Sequence, residues 1–214
     1  MRDRPVRGKV RILATGFGPF PGVPINVTAH VMEALAKGPA IPRAELATLA
    51  LPVSWGEAAT LAQRTARALC PHAILHFGVS SRASGFVVET RAYNVRSGSA
   101  DQCGVAFQTC RVSASAPAML KSTLPCDELA AALRRGGLPA RLSVDPGRYL
   151  CNTLLFTSLH DAASGGRARV AFVHVPALGV DGAVASTLTR AALVEGARIL
   201  VRTAVRAVLR ERPT

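Results

Sequence analysis

The sequence predicts an α/β fold in which helices cover both faces of a mainly parallel, twisted sheet, forming a three-layer α/β/α sandwich. Two observations support this prediction. Short, almost wholly apolar runs alternate along the chain with longer segments whose apolar residues recur at helical spacing. Strands that alternate with helices pair in parallel, because each helix returns the chain to the same edge of the sheet. At 214 residues the chain can build one full hydrophobic core, so we predict a single domain over residues 1–214.

The first half of the chain is predicted to contain four strands and two helices. Apolar runs bounded by Gly or Pro are typical of buried strands, and His76, within the third such run, is expected to be a core residue. The glycine- and proline-rich stretch 16–24 is predicted to be a loop, because so many turn-forming residues exclude a helix or a central strand. The predicted strands are residues 10–15, 45–51, 72–77 and 86–94, and the predicted helices are residues 27–36 and 55–69.

The second half begins with a small, polar and irregular stretch, residues 96–122. We expect a mobile or partner-covered loop there, with one short strand at 104–112. The turn Asp145-Pro-Gly147 then ends one element and starts a helix that contains Cys151. The other predicted elements are a helix at 127–135, strands at 141–144 and 168–176, and a last helix at 181–209.

The chain is strongly basic, with a formal net charge of +13. Such a charge is typical of proteins that bind nucleic acids or anionic surfaces. However, no run of five basic residues occurs, and aromatic residues, on which bases stack, make up only 5% of the sequence. Nucleic acid is therefore disfavoured as a partner. No apolar run is long enough to span a membrane, so no membrane partner is expected.

The cysteines and the N-terminus both bear on the cellular compartment. Five cysteines without a C-x-x-C pair argue against a disulfide framework and against a structural zinc site. Residues 1–9 carry four cations and lack the apolar core of a secretory signal. We therefore predict a cytoplasmic protein, where a reducing environment suits a reactive thiol.

Cys151 lies in the first turn of the helix predicted after Asp145-Pro-Gly147. The N–H groups of a first helical turn lack partners within the helix, and the helix dipole is positive there, so a thiolate is favoured. The same N–H groups can stabilise the oxyanion of an acyl intermediate. The alternative is that Cys151 is an ordinary free cysteine, which behaves as a small buried hydrophobic residue.

His174 and Glu89 complete a candidate catalytic triad. His174 stands at the C-terminal end of the last predicted strand, where open α/β sheets bind their ligands, so it can serve as the base for Cys151. Glu89 interrupts a strand-like apolar segment and can orient the imidazole. The alternatives are a core histidine that bonds to the backbone and a salt bridge from Glu89 to Arg91 or Arg82.

Four stretches of the chain match a set of motifs, in the same order and over most of the chain. They are Thr15–Gly22 with Asn26, similar to T-G-F-x-P-F-x-G…N; Gly78–Asn94, similar to G-x-A-G-G-R…E-R-x-A-x-N; Gly147–Asn152, similar to A-G-x-[YF]-[VL]-C-N; and Phe172–Pro176, similar to F-[IL]-H-[IV]-P. Through these motifs the chain resembles the pyroglutamyl peptidase I (pyrrolidone-carboxylate peptidase) family of cysteine peptidases.

The resemblance implies a phosphorylase/hydrolase-like fold and assigns roles to individual residues. It makes Cys151 the nucleophile, His174 the base and Glu89 the third member of the triad. It also implies homo-oligomers, either tetramers or dimers. The residues implied in substrate binding, most of them walls of an apolar pocket for a small cyclic acyl group, are Phe17, Phe20, Asn26, Tyr149 and Leu150.

Three positions differ from the family pattern. Val79 stands where the family has Gln, and Pro52-Val53 stands where it has Pro-Thr, both near the pyroglutamyl ring. The loop after Asn94, residues 95–103, lacks the D-A-R-I-P-D-N-x-G sequence. Two alternatives therefore stand beside the pyroglutamyl peptidase: a thiol amidohydrolase of the same fold for another small acyl amide, and a non-catalytic binding protein.

Residues and resemblance together predict a mechanism. The Cys151 thiolate attacks the carbonyl of an N-terminal acyl group, His174 takes and returns the proton, and Glu89 orients His174. The expected partner is a peptide or small acyl-amide substrate. No metal or cofactor is expected, because the thiolate supplies the nucleophile that a metal would otherwise generate.

Overall fold

A computed structural model describes residues 8–20, 25–98, 100–179 and 183–210 of the protein. The strands are β1 (Val10–Phe17), β2 (Ala44–Leu51), β3 (Ala73–Ser80), β4 (Phe86–Glu89), β5 (Arg91–Tyr93), β6 (Arg96–Gly98), β7 (Phe107–Cys110), β8 (Met119–Lys121), β9 (Ala140–Ser143) and β10 (Arg169–Pro176). The helices are α1 (Val27–Lys37), α2 (Ala58–Leu69), α3 (Cys126–Arg135), α4 (Leu150–Ala163) and α5 (Arg190–Arg210).

A six-stranded sheet in the order β2-β1-β3-β10-β4-β9 forms the centre of the molecule. Strands β1, β2, β3 and β10 are parallel to one another, β4 is antiparallel to β10, and β9 is parallel to β4. Helices α1, α3 and α5 cover one face of the sheet, and α2 and α4 cover the other. The predicted fold class is therefore confirmed.

Alternation of side chains along the strands explains the two apolar cores. Along β1, Ile12 and Ala14 face the helices α1 and α5, whereas Leu13 faces α2 and α4, and all three are buried. Because neighbouring side chains point to opposite faces, a strand covered on both faces must be apolar throughout. This requirement produces the continuous apolar runs from which the strands were predicted.

Two predicted helices begin later than expected. The helix predicted from residue 55 begins at Ala58, because Trp55 is buried outside it and its N–H donates to the Asp101 carboxylate. The helix predicted from residue 181 begins at Arg190, and residues 183–189 are not helical. Residues 181–182 of that prediction lie outside the described residues, as do residues 21–24 of the predicted loop.

The segment 86–94 was predicted as one extended stretch, but Thr90 divides it. Strand β4 belongs to the central sheet, whereas β5 pairs with β8 in a separate two-stranded sheet. The described part of the segment 96–122 contains three short strands, and the strand predicted at 104–112 is β7. The prediction of one domain over the whole chain stays a prediction. None of the described helices combines the length and apolar character that crossing a bilayer requires.

Candidate active site

The three predicted triad residues lie together at the carboxyl edge of the sheet. His174 is near the end of β10, and its main chain pairs with Gly78 of β3. Glu89 is the last residue of β4, which runs antiparallel to β10 and places Glu89 opposite Phe172. Side chains two residues apart on a strand share a face, so Glu89 and His174 meet diagonally across the two strands.

The hydrogen bond between His174 and Glu89 is short and well protected. Nδ1 of His174 lies 2.9 Å from Oε1 of Glu89, and the side chains are 10% and 2% exposed. Because Glu89 is paired with the imidazole, the alternative of a salt bridge to Arg91 or Arg82 is not what the structure contains. A buried carboxylate at Nδ1 directs Nε2 of the ring toward a reacting group.

Cys151 is the second residue of α4 and lies next to His174, whose pKa it raises. The N-cap residue Tyr149 makes no side-chain cap, so the N–H groups of the first turn are not satisfied by it. Cys151 lies in this first turn, at the positive end of the helix dipole. The turn therefore places a thiol next to N–H groups of the kind that can stabilise an oxyanion.

Gly78 provides the space that the sulfur occupies. A Cβ atom on residue 78 would lie 2.7 Å from Cζ of Phe172 and 3.1 Å from Sγ of Cys151. Any side chain there would displace the aromatic ring and press on the nucleophile. In the sequence, Gly78 was recognised only as the start of the second motif, although a glycine that ends a central strand is a signal of close approach.

The electrostatics of the site favour a charged imidazole. Burial acts to lower the pKa of His174, but the charge and hydrogen bond of Cys151 and the carboxylate of Glu89 outweigh this effect. Together they raise the pKa of His174 to about 9. The ring therefore carries a proton at neutral pH.

A second cysteine lies beside Glu89 in a contrasting environment. Cys126, the first residue of α3, places Sγ 3.6 Å from the main-chain oxygen of Glu89, and the Ser122 hydroxyl donates to the same oxygen at 2.7 Å. Burial, the largest cause, raises the pKa of the Cys126 thiol to about 11. Cys126 is thus protonated at neutral pH and helps hold the end of β4 in place.

A small cleft opens beside Cys151 and contains all the predicted substrate-binding residues. Its volume is about 50 Å³, which holds roughly three to five water-sized groups at about 10–15 Å³ each. That is the size of a small ring. The lining residues are Phe17, Phe20, Asn26, Val53, Val79, Tyr149, Leu150 and Cys151.

Asn26 reaches this cleft but chiefly builds the wall around it. Its Oδ1 accepts hydrogen bonds from the N–H and the hydroxyl of Thr28 and so caps α1, while Nδ2 donates to the Gly18 carbonyl at 3.0 Å. Asn26 therefore ties Gly18 to the start of α1. It fixes the chain between Phe17 and α1, both of which shape the cleft.

The segment after Asn94 is organised around Asp101, a buried residue that the sequence analysis missed. The Asp101 carboxylate accepts from the N–H groups of Trp55, Cys103 and Val105 at 2.8–3.0 Å. Its neighbour Gln102 exchanges two hydrogen bonds with the main chain of Val53. These contacts connect the segment to a wall of the cleft. An Asp followed three residues later by Gly was the available signal.

Three aromatic side chains pack together beside the wall of the cleft that contains Tyr149. Trp55 packs edge to face against Tyr149 and Phe107, with ring centroids 4.9 and 5.3 Å apart. The Tyr149 hydroxyl donates to the Ala100 carbonyl. Tyr149, which precedes α4, is therefore held by contacts from two other segments.

A larger cavity, about 760 Å³, lies at the opposite edge of the sheet. Arg11, His72 and the C-terminal ends of α2 and α4 line it, and none of the three triad residues does. We place the candidate active site at the small cleft, because Cys151 lines it. Among the described residues, no group of three or more His, Cys, Asp or Glu side chains is arranged to hold a metal ion.

Comparisons with known proteins agree with this geometry. A family model described as pyroglutamyl peptidase matches residues 10–210. The chain belongs to the pyroglutamyl peptidase family. The family predicted from the four motifs is thus confirmed, as is the class of enzyme, a cysteine-type exopeptidase.

Individual family members are similar over most of their length. The pyrrolidone-carboxylate peptidase of Pyrococcus furiosus is 32% identical over 78% of this chain and 81% of its own. Pyrrolidone-carboxylate peptidase 1 of Ralstonia nicotianae is 30% identical over 91% of this chain and 93% of its own. The solved pyrrolidone carboxyl peptidase of Thermococcus litoralis superposes with a TM-score of 0.87 at 26% identity, covering 95% of this chain and 96% of that one.

Proposed function

We propose that this protein is a cysteine peptidase that removes an N-terminal pyroglutamyl group from peptides. The observation that supports this most strongly is the array of Cys151, His174 and Glu89 at a cleft of ring size, in a chain of the pyroglutamyl peptidase family. Relatives of this chain are named pyrrolidone-carboxylate peptidases. The cleft geometry supports the same small acyl group as the part that is recognised.

The proposed reaction proceeds in two stages. The Cys151 thiolate attacks the carbonyl carbon of the pyroglutamyl residue, and the N–H groups of the first turn of α4 stabilise the oxyanion. The imidazolium of His174 gives its proton to the leaving amine, and a thioester remains on Cys151. The neutral His174 then takes a proton from water, which attacks the thioester and releases pyroglutamate. Glu89 holds the imidazole in one orientation and stabilises its charged form.

The test is hydrolysis of a pyroglutamyl 4-nitroanilide by the purified protein and its cysteine variants. Cys151→Ala should lose turnover entirely, and Cys151→Ser should lose nearly all of it, because a serine hydroxyl is a far weaker nucleophile here than a thiolate. Cys70→Ser is the matched control, because Cys70 is an exposed free cysteine outside the cleft. Turnover that survives in Cys151→Ala would remove Cys151 from the mechanism.

We further propose that the protein acts in the cytoplasm as a homo-oligomer, a dimer or a tetramer. All five cysteines are free, which suits a reducing compartment. Leu142 and Val144, on and just after the edge strand β9, are exposed apolar side chains of the kind that subunit contacts cover. Light scattering on the purified protein measures the mass, and a monomer at micromolar concentration would contradict the proposal.

A further inference from the structure

The cleft beside Cys151 is apolar on nearly every side. Side chains of Phe17, Phe20, Val53, Val79 and Leu150 form its walls. Besides the thiol of Cys151, the polar side-chain groups among the described lining residues belong to Asn26 and Tyr149.

Both of these polar side chains already have partners within the protein. Oδ1 of Asn26 accepts two hydrogen bonds from Thr28, and Nδ2 donates to Gly18. The Tyr149 hydroxyl donates to Ala100 at 3.2 Å. A ligand could recruit either group only by displacing a bond that shapes the wall.

The main chain along two walls is occupied as well. The N–H of Phe17 donates to the Thr28 hydroxyl, and the N–H of Gly18 donates to the Leu51 carbonyl. The N–H and the C=O of Val53 bond to Gln102. These walls therefore make apolar contact with a bound ring, and their main-chain groups are not available for a further hydrogen bond to it.

A pyroglutamyl ring carries one N–H and one C=O that water satisfies before binding. A pocket that bonds such groups can reject an analogue without them by about 10⁴–10⁵-fold, whereas an apolar pocket discriminates against a ring of similar shape by only about 10²-fold. The walls formed by Phe17 and Val53 are of the second kind. Their selectivity must come from the size and shape of the ring.

We propose that this acyl pocket selects a small compact ring rather than a lactam, so that its substrates include peptides and amides carrying an N-terminal carbocyclic acyl group. The inference rests on the proposed function, because Cys151 must act on whichever acyl group fills the cleft. It widens the substrate class from pyroglutamyl to small, uncharged, largely apolar cyclic acyl amides.

The experiment compares the pyroglutamyl and cyclopentanecarbonyl 4-nitroanilides, which differ only in that CH₂ groups replace the lactam N–H and C=O. The expected result is a kcat/KM for the carbocycle that is no more than about 100-fold below that for the lactam. A larger preference for the lactam would overturn the inference and leave the proposed function standing. If neither amide is hydrolysed, the proposed function fails.

A binding measurement that needs no turnover distinguishes failure of this inference from failure of the proposed function. Pyroglutamamide and cyclopentanecarboxamide are added separately while iodoacetamide alkylates the protein, and mass spectrometry follows the peptide that contains Cys151. Protection at similar concentrations of the two amides supports the inference. Protection by pyroglutamamide alone, or by neither amide, overturns it.

Val79 allows the physical cause to be tested. Val79→Thr keeps the branched shape and adds a hydroxyl to the cleft, so the lactam-to-carbocycle ratio of kcat/KM should rise about tenfold, the effect of one added hydrogen bond. Val79→Ala is the matched control, because it changes the volume without adding a polar group and should leave the ratio near that of the parent protein. A ratio that changes equally in both variants would contradict the inference.

Discussion

His174 and Glu89 are 85 residues apart in the sequence, yet Nδ1 and Oε1 of their side chains lie 2.9 Å apart in a buried hydrogen bond. The antiparallel insertion of β4 beside β10 produces this contact. If β4 ran parallel to β10, a residue other than Glu89 would lie beside His174. The charge state of the imidazole therefore depends on a strand that runs against the direction of its neighbour.

Replacement Glu89→Gln should shift the pH profile of kcat/KM. In the parent protein, activity should fall on the alkaline side near pH 9, where the raised pKa of His174 lets the imidazolium lose its proton. Removing the carboxylate charge lowers that pKa, so the alkaline limb should move to lower pH. Steady-state rates between pH 6 and 10 measure the shift. Glu45→Gln, on the exposed side of β2, should leave the profile unchanged.

Replacement Gly78→Ala should damage activity more than stability. The added Cβ must push against Phe172 and against Sγ of Cys151, and a displacement of about 1 Å at the nucleophile can cost about 10²-fold in rate. Overpacking of this kind costs about 1–3 kcal/mol of stability. Gly56→Ala is the control, since no atom lies within 4 Å of its added Cβ. Parental kcat/KM in Gly78→Ala would contradict the assigned packing.

The buried His76 should make the protein sensitive to acid. Its ring bonds to the hydroxyls of Thr15 and Ser158, and burial lowers its pKa to about 3. Below the pKa of about 6.5 that it has in the unfolded chain, the unfolded state binds a proton that the folded state does not. Stability present above pH 6.5 is therefore lost as the pH falls, by about 2 kcal/mol at pH 5.

Urea unfolding of His76→Gln at pH 7 and pH 5 tests this expectation. The variant should be less stable than the parent at pH 7, because Thr15 and Ser158 lose their ring partner, but the further loss at pH 5 should be about 2 kcal/mol smaller. His30→Gln, at an exposed position on α1, should retain the parental difference between the two pH values. If His76→Gln lost as much stability between pH 7 and pH 5 as the parent protein, another group would be responsible for the acid sensitivity.

Replacement Asp101→Asn should weaken substrate binding. The carboxylate accepts three main-chain N–H groups, whereas an amide has one oxygen and would turn an NH₂ toward a donor. The segment that holds Val53 and Tyr149 should loosen, so KM should rise severalfold while kcat changes less. Asp161→Asn, in the distant cavity, is the control. If KM and the rate of proteolytic cleavage near residue 101 were both the same as in the parent protein, this role of Asp101 would be contradicted.

Periodicity located most elements of the fold because covered strands and amphipathic helices impose different spacings of apolar residues. It failed where tertiary contacts decide the boundary. Trp55 and residues 183–189 continue the helical spacing of apolar residues in the sequence, but neither is helical. Trp55 instead contacts Asp101 and Tyr149. Thr90 looks like the middle of one strand, yet the chain changes sheets there.

The sequence by itself determined the α/β/α layers, the family, and the three residues proposed as nucleophile, base and orienting carboxylate, because local spacing and short motifs carry that information. Only the tertiary structure decided that β4 is antiparallel, that Gly78 leaves room for the sulfur, and that Asp101 holds the wall of the cleft. These features depend on contacts between residues far apart in the chain. No local pattern of side chains records which distant segment will supply the partner.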